Sequence, residues 1–322
     1  MSQGLLMSKK FYLEYGKPMI DLEFSSYKNL MAFGLVGQGS ECFGYDDDIS
    51  KDHDFAPGFC IWITESLKSE IGDKLQQAYD RLPVNDFLIK HKDEFNLYLR
   101  DVYMTGARAN RVGVHSIEEF YFEHTGITYL PVTFEDWTKA HPMFISEAVN
   151  GEVYDDYLGE FTKIRNKWIE FYPEDILKKK IAANCGMAAK TGQFNYKRSI
   201  DRNDIYSAYN CSVEFVKKIS ATMYLLNNKY IPYYKWVFKG MEDFTVCVDA
   251  VHLLQDLIKL TEKDSEKKIE LIEKISSIVI DEIKNRSWSD GHTDYLLDHA
   301  RLIIKTIKDN NIASMNIFIG ED

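Results

Sequence analysis

The sequence predicts an α+β protein: a sheet with flanking helices over residues 1–158, followed by a helical bundle over residues 159–322. Three observations carry this. Short β-prone runs, "LMAFGLVG" (30–37), "DFAPGFCIWIT" (54–64) and "RVGVH" (111–115), are confined to the first part of the chain. Near residue 155 the pattern changes, and apolar residues recur at helical spacing. A composition of 45% hydrophobic and 14% aromatic residues in a chain of 322 is ample for a real core.

Between the β-prone runs, "ESLKSEIGDKLQQAYDRLP" (65–83) sets Ile71, Leu75 and Tyr79 four residues apart and ends on Pro83, which predicts a helix after the second strand. In "HSIEEFYFEHTG", Ser116 is placed to cap a helix with Glu119 three residues on, and Gly126 to end it. "GEVY" (151–154) suggests one more short strand. Beyond residue 160 about five helices are expected. One carries Tyr206, Tyr209, Val213, Val216 and Met223; a second carries Val251, Leu254 and Ile258; a third carries Ile272, Ile275, Val279 and Ile283 after the charged "TEKDSEKK".

Thirty-nine basic against fifty acidic residues gives a net charge of −11, which disfavours long nucleic acid as a partner. A nucleotide stays compatible, because a divalent cation and a few lysines neutralise one small anion. No apolar run approaches the roughly 20 residues needed to span a bilayer, and the N-terminal stretch lacks a signal-like apolar core with a cleavage site. A cytoplasmic location is the expectation. The five scattered cysteines form no CxxC pair, so reduced thiols and no structural zinc are expected.

The stretch "GQGSECFGYDDDISKDHDF" (37–55) concentrates the chemistry. Asp52 and Asp54 are two apart, and in a strand such residues project from one face, leaving two adjacent carboxylates that call for a cation. An oxygen-rich pair suits Mg²⁺ or Mn²⁺, which bridges carboxylates to substrate phosphates. Upstream, a β-prone run ends in Gly37, Gly39 and Ser40; the glycines let a phosphate approach backbone N–H groups, and Ser40 adds a hydroxyl. The intervening "DDD" (46–48) reads as a turn. His53 reads as packing or hydrogen bonding. Each motif alone is weak; their order is more specific.

Gly39-Ser40, eleven intervening residues and Asp52-His53-Asp54 resemble the signature of the DNA-polymerase-beta-like nucleotidyltransferase superfamily. More closely, "GSECFGYDDDISKDHDFAPGFCIWI", "FYPEDIL" (171–177) and "NKYIPYYKW" (228–236) resemble a bacterial family known as domain of unknown function 4037, over most of the chain to about residue 240. The resemblance implies a nucleotidyltransferase-type mixed sheet followed by helices, with Gly39 and Ser40 at the nucleotide's phosphates and Asp52 and Asp54 as metal-binding carboxylates. A looser likeness to aminoglycoside adenylyltransferases puts Lys235 at the position of a lysine that reaches the triphosphate, with Tyr233 and Tyr234 beside it over the cleft between domains. One departure stands out: the superfamily's third carboxylate, on a later strand, has no counterpart in "RVGVH". Glu118, Glu119 and Asp155 are the candidates for that base.

The resulting expectation is a Mg²⁺-dependent (or Mn²⁺-dependent) nucleotidyltransferase that moves a nucleoside monophosphate, AMP from ATP on superfamily grounds, to a hydroxyl of a small molecule or protein. The alternative is a catalytically inactive nucleotide-binding sensor or interaction module on the same fold. Elsewhere, Asp290, His292 and Asp294 in "SDGHTD" read as turn and cap chemistry, and Arg198, Asp201 and Asp204 as a capped break between helices.

Overall fold

The computed structural model describes residues 2–49, 56–95 and 111–322. The fold is α+β, and the chain divides into two compact units: one holds the residues up to Ala140 together with Phe144–Glu170, the other His141–Met143 and Phe171–Asp322. The first unit therefore extends to Glu170, one helix beyond the sequence-based boundary at 158, because the helix that follows the last strand packs back on the sheet.

That sheet has four strands in the order β3-β2-β1-β4, with β1 Ala32–Leu35, β2 Cys60–Ile63, β3 Gly113–Ser116 and β4 Glu152–Asp156. Strand β1 pairs antiparallel with both β2 and β4, whereas β2 and β3 are parallel, so the sheet is mixed. Strand β2 is shorter than its apolar run: among the described residues it begins at Cys60, since Pro57 has no N–H to give a ladder and Gly58 lies against Val112.

The helices in front of and around these strands are α1 (Gln3–Phe11), α2 (Lys17–Glu23), α3 (Ser40–Phe43), α4 (Glu65–Asp80), α5 (Val84–His91), α6 (Ile117–Thr125), α7 (Phe134–Trp137), α8 (Pro142–Val149) and α9 (Glu160–Ile169). One sheet face is covered by α1, α2, α4 and α5. Met31, Phe33, Phe59, Ile61 and Ile63 pack there with Phe11, Tyr12, Ile20, Leu75 and Phe87. Helices α1 and α2 are joined through one wide turn, Tyr12–Gly16, which stacks Tyr12 on Phe33 at 5.1 Å and lets Gly16 meet the Phe59 ring. The other face carries Trp62, stacked on Phe161 of α9 at 4.0 Å and set edge-on to Phe120 of α6.

Helix α6 starts and stops where its sequence predicts. The Ser116 hydroxyl accepts from the Glu119 N–H at 3.0 Å, the Glu119 carboxylate accepts in return from the Ser116 N–H, and Gly126 closes the helix in the left-handed region. Ser116→Ala is expected to cost about 1 kcal/mol, read as a lower urea midpoint at unchanged slope; no change would mean that packing alone sets this helix start.

The second unit is helical. Its first helix, α10 (Glu174–Ala188), continues through a wide-turn stretch (Ala189–Tyr196) into α11 (Lys197–Asp201). There follow α12 (Ile205–Leu226), α13 (Val237–Gly240), α14 (Val248–Lys259), α15 (Ser265–Asn285), α16 (Leu296–Lys305) and α17 (Asn310–Ser314). On α15 the predicted stripe Ile272, Ile275, Val279 and Ile283 is buried. On α12 the predicted stripe is displaced: Tyr206 and Tyr209 are 77% and 55% exposed, and the buried line runs through Ala208, Ser212, Phe215, Ile219 and Met223. Small residues here let the helix approach its neighbours, and the tyrosines keep their hydroxyl ends in water. Ile258 on α14 is likewise exposed. Asp204 caps α12 through the Ser207 N–H, in line with the break predicted there. Asp290, His292 and Asp294 are exposed.

Among the described residues no helix is long and apolar enough to cross a membrane.

Candidate functional site

Strand β1 delivers the chain into a tight loop, Val36–Gly39, that opens α3 at Ser40. Gly37 and Gly39 have φ of 121° and 119°, a backbone region that side chains rarely enter. The loop is held from two sides. Asn150 clamps Gly37, its Oδ1 accepting from the Gly37 N–H at 2.9 Å and its Nδ2 donating to the Gly37 carbonyl at 2.7 Å. Behind it, Arg165 donates to the carbonyls of Val149 and Asn150 and so fixes the clamp. On the other side, a Cβ added at Gly39 would stand 2.3 Å from Arg111 Nη1 and 2.5 Å from Glu41 Oε2. Gly39 is thus required by both its conformation and its neighbours.

Beneath the loop, Arg111 donates from Nη2 to Glu41 Oε1; the two side chains are 16% and 7% exposed. Burial works against the Arg111 charge, but the surrounding groups, Glu41 foremost among them, together outweigh it and hold the guanidinium above its ordinary value. The Arg111 Nε is buried without a hydrogen-bond partner.

Next to this pair a cavity of about 210 Å³ is lined by Val36, Gly37 and Gln38 of the loop, by Arg111 and His115, and by Phe120, Glu123 and His124 of α6. His115 lies on β3, the strand beside β2. Burial, and then the Lys68 charge, push its imidazole down to about 4, so it is neutral at pH 7, and its Nε2 is buried without a partner. His124 is also lowered by burial. Its Nε2 faces Glu147 Oε2 of α8 at 3.9 Å. Glu147 was not legible in the sequence as a functional residue. Its side chain is 8% exposed, that same Oε2 has no hydrogen-bond partner, and burial pushes its carboxyl up to about 7, with Arg111 pulling the other way. Glu147 does not line the cavity but stands next to His124, which does, and a buried acid pushed toward neutrality beside an imidazole is suited to exchanging protons.

The predicted base candidates have structural partners. Glu118 Oε2 accepts from the Glu65 N–H at the start of α4. Glu119 closes the α6 capping box and pairs with Lys68, whose hydrogen bond holds it below its ordinary value. Asp155 on β4 accepts from Tyr12 Oη at 2.7 Å and Lys17 Nζ at 3.3 Å, on the face covered by α1 and α2. Asp46 of the "DDD" turn accepts from the Gly4 N–H near the start of α1. Asp52, His53 and Asp54 lie outside the described residues. Among the described residues no group of three or more His, Cys, Asp or Glu side chains is arranged to hold a metal.

In the helical unit Lys235 is exposed, its ammonium 5.1 Å above the Trp236 ring, and Tyr233 is half-buried with its ring 4.3 Å from that of Tyr234. This stretch, together with "FYPEDIL", falls inside a segment that is similar to a known family. Residues 137–237 are similar to the family described as Domain of unknown function (DUF4037). The DUF4037 segment covers α8, β4 and α9 of the sheet unit and runs through α12 to the start of α13 in the helical unit. It is shorter than the resemblance read from the sequence and leaves out Gly39-Ser40 and Asp52–Asp54, on which the nucleotidyltransferase likeness rests. Glu147 and Asn150 lie inside it. No match was found among curated proteins or among solved structures.

Proposed function

We propose that this chain is a Mg²⁺-dependent nucleotidyltransferase that moves AMP from ATP to a hydroxyl of a small molecule or protein. The observation that carries the reading is the clamped glycine loop at the end of β1, one strand away from the β2 run that Asp52 and Asp54 precede. Gly37 leaves the loop backbone open to a phosphate, Ser40 adds a hydroxyl, and the Arg111–Glu41 pair underpins the loop at Gly39. These groups fit a polyphosphate. Asp52 and Asp54 would hold the cation, which supplies neutralisation of phosphate charge.

Glu147 is the general base in this reading. Its free Oε2 takes the proton of the acceptor hydroxyl as that oxygen attacks the α-phosphorus in line and pyrophosphate leaves with the electrons of the broken P–O bond. Low solvent exposure supports the assignment, because it raises the basicity of the carboxylate toward the working pH.

A non-catalytic nucleotide sensor is the second reading, favoured by His115. At the strand where the superfamily carries a carboxylate stands an imidazole that is neutral at pH 7 and pushed down to about 4.

Titration calorimetry of ATP with and without Mg²⁺, followed by pyrophosphate release over a panel of hydroxyl-bearing metabolites, separates the two. Asp52→Ala and Asp54→Ala are expected to abolish Mg²⁺-dependent ATP binding and turnover. Metal-independent binding untouched by both substitutions would sink the transferase; tight Mg-ATP binding without turnover would favour the sensor.

A further inference from the structure

Helix α10 carries three consecutive lysines, Lys178, Lys179 and Lys180, all less than 5% exposed. Buried ammonium groups need partners, and these three find different ones. Lys178 pairs with Glu174 one turn earlier. Lys179 donates to the backbone carbonyls of Met315 and Asn316. Lys180 meets an acid 142 residues away: its Nζ bonds Asp322 Oδ1, the two side chains being 3% and 4% exposed.

Around that carboxylate the helical unit supplies a set of donors. Asn184 Nδ2 lies 3.5 Å from Asp322 Oδ2, and Asn184 Oδ1 accepts from the Asp322 N–H at 3.2 Å. Lys218 of α12 donates to the Asp322 main-chain oxygen and pairs with Glu321 at 3.1 Å. The Tyr172 ring supports the Lys180 ammonium at 5.2 Å. His141 senses the same field: burial first, then Asp322 acting to raise it, and Lys180 and Lys218 acting to lower it, leave its imidazole below the ordinary value.

We infer that Lys180, Asn184 and Lys218 form an anion-binding site for a phosphate group, and that the carboxylates of Glu321 and Asp322 occupy it as a displaceable stand-in. Two features favour this over a simple staple. The donors all fall within residues 137–237, whereas the acidic pair lies outside that segment and is reached through a stretch that forms only turns after α17. And the chemistry matches: two ammonium groups and a side-chain amide face carboxylate oxygens, the kind of acceptor that a phosphate monoester offers with its charge of about −1.5 to −2 and its three oxygens. Neither lysine tolerates an empty pocket, so release of Glu321–Asp322 is coupled to arrival of the anion. The site is independent of whether the chain transfers nucleotides, since it needs neither Asp52 and Asp54 nor a metal.

The test is titration of the full chain with inorganic phosphate and, separately, ATP, both without Mg²⁺, in an Asp52→Ala/Asp54→Ala background that removes the proposed catalytic site. Glu321→Gln/Asp322→Asn is expected to tighten binding of inorganic phosphate at least tenfold by removing the competitor. Lys180→Met is expected to abolish it; if that variant fails to fold by circular dichroism, Lys218→Gln replaces it, with a loss of tenfold or more. Tighter binding of ATP than of phosphate identifies a nucleotide's phosphate as the source, and equal binding identifies the free ion. Phosphate affinity unchanged by the acidic double substitution, or by the lysine substitution, overturns the proposal and leaves a structural ion pair.

Discussion

Gly39→Ala is expected to destabilise the sheet unit by about 2 to 3 kcal/mol, whereas Gly44→Ala, five residues on, is expected to cost about 1 kcal/mol. Both glycines have positive φ, 119° and 74°. They differ in surroundings and in the severity of the backbone constraint. A Cβ at Gly44 meets nothing within 4 Å, and φ 74° with ψ 22° is a left-handed conformation that non-glycine residues adopt at modest cost. A Cβ at Gly39 overlaps Arg111 and Glu41, and φ 119° with ψ 143° is close to a region reserved for glycine. The alanine therefore strains the loop backbone and also has to displace the ends of two buried, paired side chains. Urea unfolding of the two variants beside the parent protein checks this. Equal costs would show that Arg111 and Glu41 move aside freely, and the cradle would lose its rigid floor.

Glu147→Gln is expected to stabilise the protein at pH 8 by up to about 3 kcal/mol and to lower any pyrophosphate-releasing turnover by about 10²- to 10⁴-fold. The stability term follows from the carboxyl being pushed by burial from 4.5 up to about 7 in the folded state. Below pH 4.5 the group is protonated in both folded and unfolded chains and costs nothing. Between 4.5 and 7 the unfolded chain releases the proton that the folded one retains, so stability falls as pH rises. Above 7 the full penalty is present. Glutamine removes that fall.

His115 acts with the opposite sign. Its folded value of about 4 lies below the ordinary 6.5, so its contribution is present above pH 6.5 and is lost as pH drops toward 4. The parent protein thus contains two opposed slopes over much of the same window, and Glu147→Gln unmasks the rising one. Denaturation series at pH 5, 6.5 and 8 read this directly. A variant no more stable than the parent at pH 8 would show that Glu147 is ionised at no cost. Turnover unaffected by the substitution would remove Glu147 as the base, while leaving its titration intact.

The parts of the fold that were legible in the sequence are those set by local rules. The α6 boundaries follow from Ser116, Glu119 and Gly126, because capping is decided by a few neighbouring backbone groups. The α15 stripe follows from spacing alone, since all its members are aliphatic and have no stake in water. On α12 the same reasoning misjudged the face: Tyr206 and Tyr209 count as apolar in a periodicity pattern, yet their hydroxyls are satisfied at the surface, and close packing selects Ala208 and Ser212 instead. The glycine loop was legible as a motif, although the clamp from Asn150, more than a hundred residues away, was not.

The sequence by itself determined the fold class, the change from sheet to helices, and the need for glycine at the end of β1, because these rest on side-chain period and on backbone sterics within a few residues. Only the tertiary structure decided which acids are buried and which are held by donors. Glu118, Glu119 and Asp155 each have a neighbouring donor, while Glu147 is set apart by burial and by an Oε2 without a hydrogen-bond partner, 3.9 Å from His124 Nε2. Burial and partnership are properties of what the rest of the chain brings to a residue, and no local pattern encodes them.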